Sequence, residues 1–316
     1  MANKPREQDQ RNFRWSYAIF VLAIIIVTGF FAVSIISLFS GVDVSSLSGN
    51  VALISINGII LADEDSASLF ETVASSSDIV ELIEKAGSNP NIRAILLEIN
   101  SPGGSAVASE EIAYAIGKTN KTTVAWIREI GTSGAYWVAS SADHIVANRV
   151  SITGSIGVIA SYLEFPGLLD KYNITYQRLV AGKYKDIGSP LKEMTQEEKT
   201  IFQQDLDEIR DYFVEEIAKN RDMNKKDVDR LANGLFYLGA QAKEMGLVDE
   251  LGGKDAAISY IERTEGITAE IVEYEEEESL LDMISKVLGQ QSFSIGRGIG
   301  SSLFLNSAQP GIRITT

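Results

Sequence analysis

From Trp15 to Val42 the chain carries no charged residue. A run of that length can sit in hydrocarbon only as a helix, because every backbone polar group must be satisfied within the segment, and roughly 20 residues suffice to cross. Lys4, Arg6, Arg11 and Arg14 precede it against Glu7 and Asp9, and Asp43 is the first charge after it. The basic flank favours an N-terminus in the cytoplasm and a long extracytoplasmic C-terminal part, in a single pass through the cell membrane. A cleaved signal peptide would have a shorter apolar core, about 7–15 residues, before a small-residue cleavage site. Ala32–Val33–Ser34 could serve as such a site, but it lies inside the apolar run. The expected organisation is a basic segment over 1–14, a transmembrane helix over 15–40, a Ser/Gly linker over 41–50, a folded domain over 51–275 and a tail over 276–316.

Composition narrows the chemistry. The formal net charge is −15, which makes nucleic acid an unsuitable partner, since phosphate binding needs a basic face. There is no cysteine, so disulfides, thiolate zinc sites, iron–sulfur clusters and cysteine nucleophiles are excluded. His144 is the single histidine, and a His-rich metal site cannot be built in one protomer.

Beyond the linker, short strands and helices alternate, the pattern of an α/β fold with a layered or spiral sheet. VALISINGII (51–60) reads as a first strand, and residues 69–87 contain a helix stopped by Gly87. AILLEI (94–99) is a continuous apolar run, as expected of a buried parallel strand. TTVAWIR (122–128) and HIVAN (144–148) are further strands, ITGSIGVIA (152–160) should end in one, and ITYQRL (174–179) should form another. Thr195 and Glu198 suit a capping box for a long helix over 195–219, with Phe202, Leu206, Ile209, Phe213 and Ile217 on its apolar face. That face fits a core or subunit contact. Residues 231–253 pair a short strand with a helix.

Ser133, in IREIGTSGAYW, lies between a strand and a helix and is flanked by small residues. Such a turn exposes a hydroxyl and sets the following N–H groups, Gly134 first, at a helix start. The same serine could equally be a helix cap. The SPGG run (101–104) follows a buried strand, and its paired glycines permit close backbone approach. Gly104 N–H is the candidate second donor to an oxyanion, with Gly103 next to it; a plain tight turn would look the same. His144, outside any recognisable triad motif, reads as a strand-end residue. A base other than histidine is then required, and a desolvated lysine can serve.

The order SPGG, TSGAYW, TGSIGV, GKYKDIGSP and LGAQAKEMGLVDELGG resembles the signal peptide peptidase A (SppA) family over about residues 51–255. The resemblance implies the Clp protease/crotonase-like fold of spiral β-sheet layers with surrounding helices, here preceded by one transmembrane helix. It implies Ser133 as nucleophile, Lys185 as general base and Ser155 as the residue that positions the lysine amine, with Lys183 a secondary candidate for the base. The expected activity is endopeptidase cleavage of extended hydrophobic peptides, such as released signal peptides, with no cofactor and no metal. It further implies ring- or dome-shaped homo-oligomers, octamers in single-domain relatives, in which the serine and the lysine come from neighbouring protomers. One departure is the segment NGLFYLG (233–239), where many relatives carry an arginine. A related membrane-linked Ser/Lys protease with another membrane-protein substrate, or a non-catalytic oligomeric scaffold of the same fold, would share these motifs.

Overall fold

The computed structural model describes residues 49–63 and 72–275. The membrane helix expected at 15–40, most of the linker and the tail from 276 lie outside the described residues. No described helix is long and apolar enough to cross a membrane.

The domain is a mixed α/β structure built on a mostly parallel sheet. Its strands are β1 (Val51–Leu61), β2 (Val73–Ser75), β3 (Ala94–Gly104), β4 (Thr122–Thr132), β5 (His144–Ala147), β6 (Ile152–Gly154), β7 (Phe236–Leu238), β8 (Glu250–Leu251) and β9 (Ile271–Glu273). The main order is β2-β1-β3-β4-β5-β8, all parallel. β9 joins β1 and β6 joins β4, both parallel, and β7 pairs with β6 antiparallel.

Helices cover both faces, which is why the central strands read as unbroken apolar runs. The helices are α1 (Ser76–Ser88), α2 (Ala106–Lys118), α3 (Gly134–Ser140), α4 (Pro166–Lys171), α5 (Gln196–Asn220), α6 (Lys225–Leu231), α7 (Gly239–Glu244) and α8 (Lys254–Glu265). Successive strand residues point to opposite faces. Ala52, Ile54, Ile95, Leu97 and Ala125 enter the larger core with α1, α2, α3 and the C-terminal half of α5. Val51, Leu53, Ala94, Leu96 and Val124 pack with Ala257 and Ile261 of α8 on the other side.

Most expected elements are present, with four informative differences. The helix expected within 69–87 runs from Ser76 to Ser88; ahead of it Val73–Ser75 pairs with β1, and the Ser75 side chain accepts the Asp78 N–H as a cap. The SPGG run belongs to the end of β3 rather than to a free turn. In ITGSIGVIA the strand is at the start, because Gly154 and Ser155 both take positive φ (78° and 50°) and end it. ITYQRL forms no strand; Ile174, Tyr176 and Leu179 are exposed and find no pairing partner among the described residues. The capping box of α5 is formed as expected, Thr195 Oγ1 accepting the Glu198 N–H and Glu198 accepting the Thr195 N–H. Its apolar face is divided, however: Phe213 and Ile217 are buried, whereas Phe202, Leu206 and Ile209 are only half-buried.

One partly buried ion pair ties α5 to the β5 edge. Arg221 Nη1 donates to Asp249 Oδ2 at 2.9 Å, and the same oxygen accepts the Ile145 N–H at 2.8 Å. Burial alone would raise the Asp249 carboxyl, but the bonds and charge of Arg221 outweigh it and hold the group below its ordinary value. A lowered folded-state value means that this stability is complete above the unfolded aspartate range, near pH 4, and is lost as pH falls through the folded value. Asp249→Asn is therefore expected to cost about 2 kcal/mol at pH 7, since it leaves Arg221 poorly paired in a buried position. Urea unfolding of both proteins should show the gap narrowing towards pH 3; a gap that stays constant with pH would rule out this pair as the source.

Candidate active site

Parallel sheets present their ligand-facing loops at the carboxyl ends of the strands. The central strands here become irregular at that end. The β1–β3 register shifts between Asn57 and Ile59, and the β3–β4 register between Ile99 and Ser101. Such bulges bend a strand and re-aim the residues beyond them.

β4 leads directly into Ser133, which adopts φ 53° and ψ −126°. This is a costly conformation for a residue with a Cβ, and it persists only where the surroundings over-determine it. They do so here. Ser133 N–H donates to the Gly154 carbonyl at 2.8 Å, and its own carbonyl accepts the N–H groups of Tyr136 and Trp137. Every residue of α3 is buried, Trp137 stacks on Phe213 at 4.7 Å, and Tyr136 Oη donates to the Leu247 carbonyl at 2.9 Å. Although Ser133 occupies the N-cap position of α3, its hydroxyl makes no capping bond. The strained turn thus presents a free hydroxyl rather than a structural one.

The end of β3 lies against this turn. A Cβ on Gly103 (φ 95°) would fall 2.7 Å from the Gly134 nitrogen and 3.0 Å from Ser133 Cβ. A Cβ on Gly134 would fall 3.4 Å from the Gly104 nitrogen. The backbones of Gly103–Gly104 and Ser133–Gly134 are therefore in direct contact. Gly134 opens α3, so its N–H has no acceptor within the helix.

Ser155 shares the cleft. Its N–H donates to the Leu235 carbonyl at 2.9 Å and its hydroxyl to the Gly234 carbonyl at 3.2 Å. Ser133 and Ser155 are two of the four non-glycine residues with positive φ among the described residues, and both line one open cleft of about 550 Å³. Two strained serines at one cleft is the concentration expected of a functional site. The remaining walls are Gly157, Val158, Ile159, Arg210, Ala232, Asn233 and Gly234. Sequence reading singled out none of these for the site. The Asn233–Gly234 turn dipeptide was a usable signal; Arg210, on the polar side of a helix, gave none. Arg210 bonds the carbonyls of Ala232 and Asp229 and the Asp229 carboxylate, which holds the 232–235 wall in place.

Lys185 is not among the residues lining this cleft. It projects from a turn within residues 158–192, and it is exposed, its amine without a hydrogen-bond or ion-pair partner among the described residues. Lys183 differs. Glu197 binds its ammonium at 2.6 Å, and that bond raises its proton affinity, the wrong direction for a base. The same stretch is unusually apolar at its surface: among the described residues, twelve of the twenty exposed large hydrophobics fall in 159–191, including Ile159 (85%), Leu163 (72%) and Leu179 (95%).

His144 is at the wrong end of the sheet. It pairs with Val124, near the start of β4, while Ser133 follows the end of that strand. Nine residues of strand separate the two levels, roughly 25–30 Å. His144 instead stacks on Tyr260 at 3.7 Å beside Asp249 and Glu250.

The model of Peptidase family S49 matches residues 115–268. A Methanocaldococcus jannaschii protein that bears a protease name is 38% identical over 229 residues, 71% of this chain and 73% of the relative. An Enterococcus faecium protein that bears the name signal peptide peptidase SppA is 34% identical over 226 residues, 70% of this chain and 65% of the relative. Protease 4 of Haemophilus influenzae is 32% identical over 217 residues, 67% of this chain but 34% of that longer protein. The chain belongs to Peptidase family S49, the family of the SppA proteases.

Proposed function

We propose that this protein is a membrane-anchored serine endopeptidase that cleaves extended hydrophobic peptides, released signal peptides among them, through an acyl-enzyme formed on Ser133. The observation that carries the reading is the strained, uncapped Ser133 turn packed against the paired glycines of β3. In the proposed reaction Lys185, once covered, removes the hydroxyl proton, and Ser133 attacks the scissile carbonyl. The N–H groups of Gly104 and Gly134 receive the developing oxyanion. Lys185 returns the proton to the leaving amine and then activates the water that releases the acyl group, while Ser155 orients the amine. The transmembrane helix at 15–40, the extracytoplasmic placement of the domain and the spiral-layer fold of the Clp protease/crotonase type belong to the same proposal.

Lysine amines become effective bases when removed from water. Lys185 is exposed in the single chain and outside the Ser133 cleft. A neighbouring protomer in a homo-oligomeric ring would cover it and supply the serine, and the exposed apolar surface of 159–191 suits that contact. In the full-length protein, Lys185→Ala is expected to lower peptide hydrolysis by about 10²–10³-fold, the usual worth of a general base. Lys183→Ala should stay within about tenfold of the parent, because its amine is tied to Glu197. Co-expression of Ser133→Ala with Lys185→Ala chains gives a sharper test. Mixed rings should recover roughly a quarter of the sites by random assembly if each dyad spans two protomers. Full activity of the Lys185→Ala protein alone would overturn the dyad, and mixed rings as inactive as either parent would overturn its division between chains.

A further inference from the structure

Lys185 sits in the middle of a tight turn that is held from both sides. Its N–H donates to the Gly182 carbonyl at 3.2 Å, and the next turn closes from Ile187 N–H to the Tyr184 carbonyl at 3.1 Å. Gly182 (φ 105°) and Gly188 (φ 75°) bound the turn, and the Phe202 ring of α5 lies against Gly188. On one side Arg178 reaches in. Its Nε and Nη2 donate to the two carboxylate oxygens of Asp186 at 2.6 and 2.8 Å, and Nη2 also donates to the Lys183 carbonyl at 3.2 Å. On the other side Glu197 of α5 binds the Lys183 ammonium and accepts from Tyr184 Oη at 2.5 Å. The residues before and after Lys185 are thus pinned by charge-assisted bonds, while the Lys185 amine has no partner among the described residues.

We propose that Arg178 is a positioning residue: through Asp186 and the Lys183 carbonyl it fixes the turn from which the Lys185 side chain is delivered to its serine. This rests on the reading of Lys185 as general base. The geometry favours this role over a simple contribution to folding. Arg178 is exposed and Asp186 half-buried, in turns rather than core strands, and a bidentate arginine–carboxylate fork fixes geometry as well as adding energy. A reacting group displaced by about 1 Å can lose 10²-fold in rate. The bidentate fork is also specific to arginine, since a lysine would offer only a point charge. The contact joins the Asp186 carboxylate and the Lys183 carbonyl, which flank one side chain, an arrangement that a bond made only for solubility or folding does not require. The clamp also neutralises the carboxylate beside the base. The Arg178 bonds hold the Asp186 carboxyl below its ordinary range. Lys192, the other cation near Asp186, is itself paired with Glu198.

The test uses the full-length protein and a fluorogenic hydrophobic peptide, with Arg178→Gln, Arg178→Lys and the double variant Arg178→Gln/Asp186→Asn. Arg178→Gln should lose about 30-fold in kcat with KM within twofold and little change in melting temperature. Arg178→Lys should recover part of kcat. The double variant should keep kcat as low as Arg178→Gln, because the turn is still loose. Unchanged kcat in Arg178→Gln, with Lys185→Ala inactive, overturns the positioning role and leaves the dyad standing. A kcat loss that only tracks a lower melting temperature also overturns it. Full activity in Lys185→Ala overturns the base assignment, and the positioning role with it.

Discussion

Alanine in place of Ser133 is expected to lower peptide hydrolysis by roughly 10⁴-fold or more while the domain remains folded. The hydroxyl makes no capping bond, so its removal leaves no buried group unpaired. The backbone bonds that hold the turn, from Ser133 N–H to Gly154 and from Tyr136 and Trp137 to the Ser133 carbonyl, do not involve the side chain. Glycine at the same position should be equally inactive but more stable than alanine by about 1 kcal/mol. Both alanine and serine must hold a Cβ at φ 53°, whereas glycine adopts positive φ freely. Its larger unfolded-state entropy offsets only part of that gain. Two inactive variants ordered in this way would separate chemistry from strain: labelling by a fluorophosphonate reads the first, and urea unfolding reads the second. Residual hydrolysis above about one hundredth of the parent in Ser133→Ala would remove the nucleophile assignment. A glycine variant no more stable than the alanine one would show that the turn stores no strain.

Legibility in the sequence depends on where the structural information sits. The central strands were readable because both faces of the sheet are covered, which forces unbroken runs such as AILLEI. The α5 start was readable because Thr195 and Glu198 form a local capping box. The serine turn and the glycine pair were readable as motifs, since small residues are required wherever backbones touch. The failures are of another kind. ITYQRL has strand-like residues, but a strand exists only with a partner, and the described residues of a single chain offer it none. Arg210 and Arg178 act through contacts to carbonyls and carboxylates that have no spacing signature along the chain. The distinction between Lys183 and Lys185 also escapes spacing, because it depends on Glu197, which the fold of the turn onto α5 brings to Lys183 alone.

The tightest constraint on the proposed oxyanion site is Gly104, and replacing it by alanine is expected to abolish hydrolysis and destabilise the domain together. A Cβ there would lie 2.0 Å from the Ile60 carbonyl oxygen and 2.7 Å from the Ile60 carbonyl carbon and nitrogen. These are backbone atoms of β1, and the same carbonyl accepts the Ser105 N–H at 2.8 Å, so it cannot turn aside without breaking the strand pairing. The expected cost is about 3 kcal/mol, at the upper end of what overpacking produces. Any separation of β1 from β3 also moves the Gly104 N–H away from Gly134, and loss of one oxyanion donor costs about 10²–10³-fold in kcat. Gly134→Ala should be milder in stability. Its Cβ would meet Ser109 Oγ at 2.2 Å, a hydroxyl that can rotate away at the expense of its bond to the Ser105 carbonyl. Gly117 supplies the control: a Cβ there meets nothing within 4 Å, and alanine in α2 should stabilise by about 0.5–1 kcal/mol. Urea unfolding should therefore rank the variants Gly117→Ala, Gly134→Ala and Gly104→Ala in falling order. If Gly104→Ala unfolds at the urea concentration of the Gly117→Ala protein, the end of β3 does not press on β1, and the case for Gly104 as an oxyanion donor fails with it.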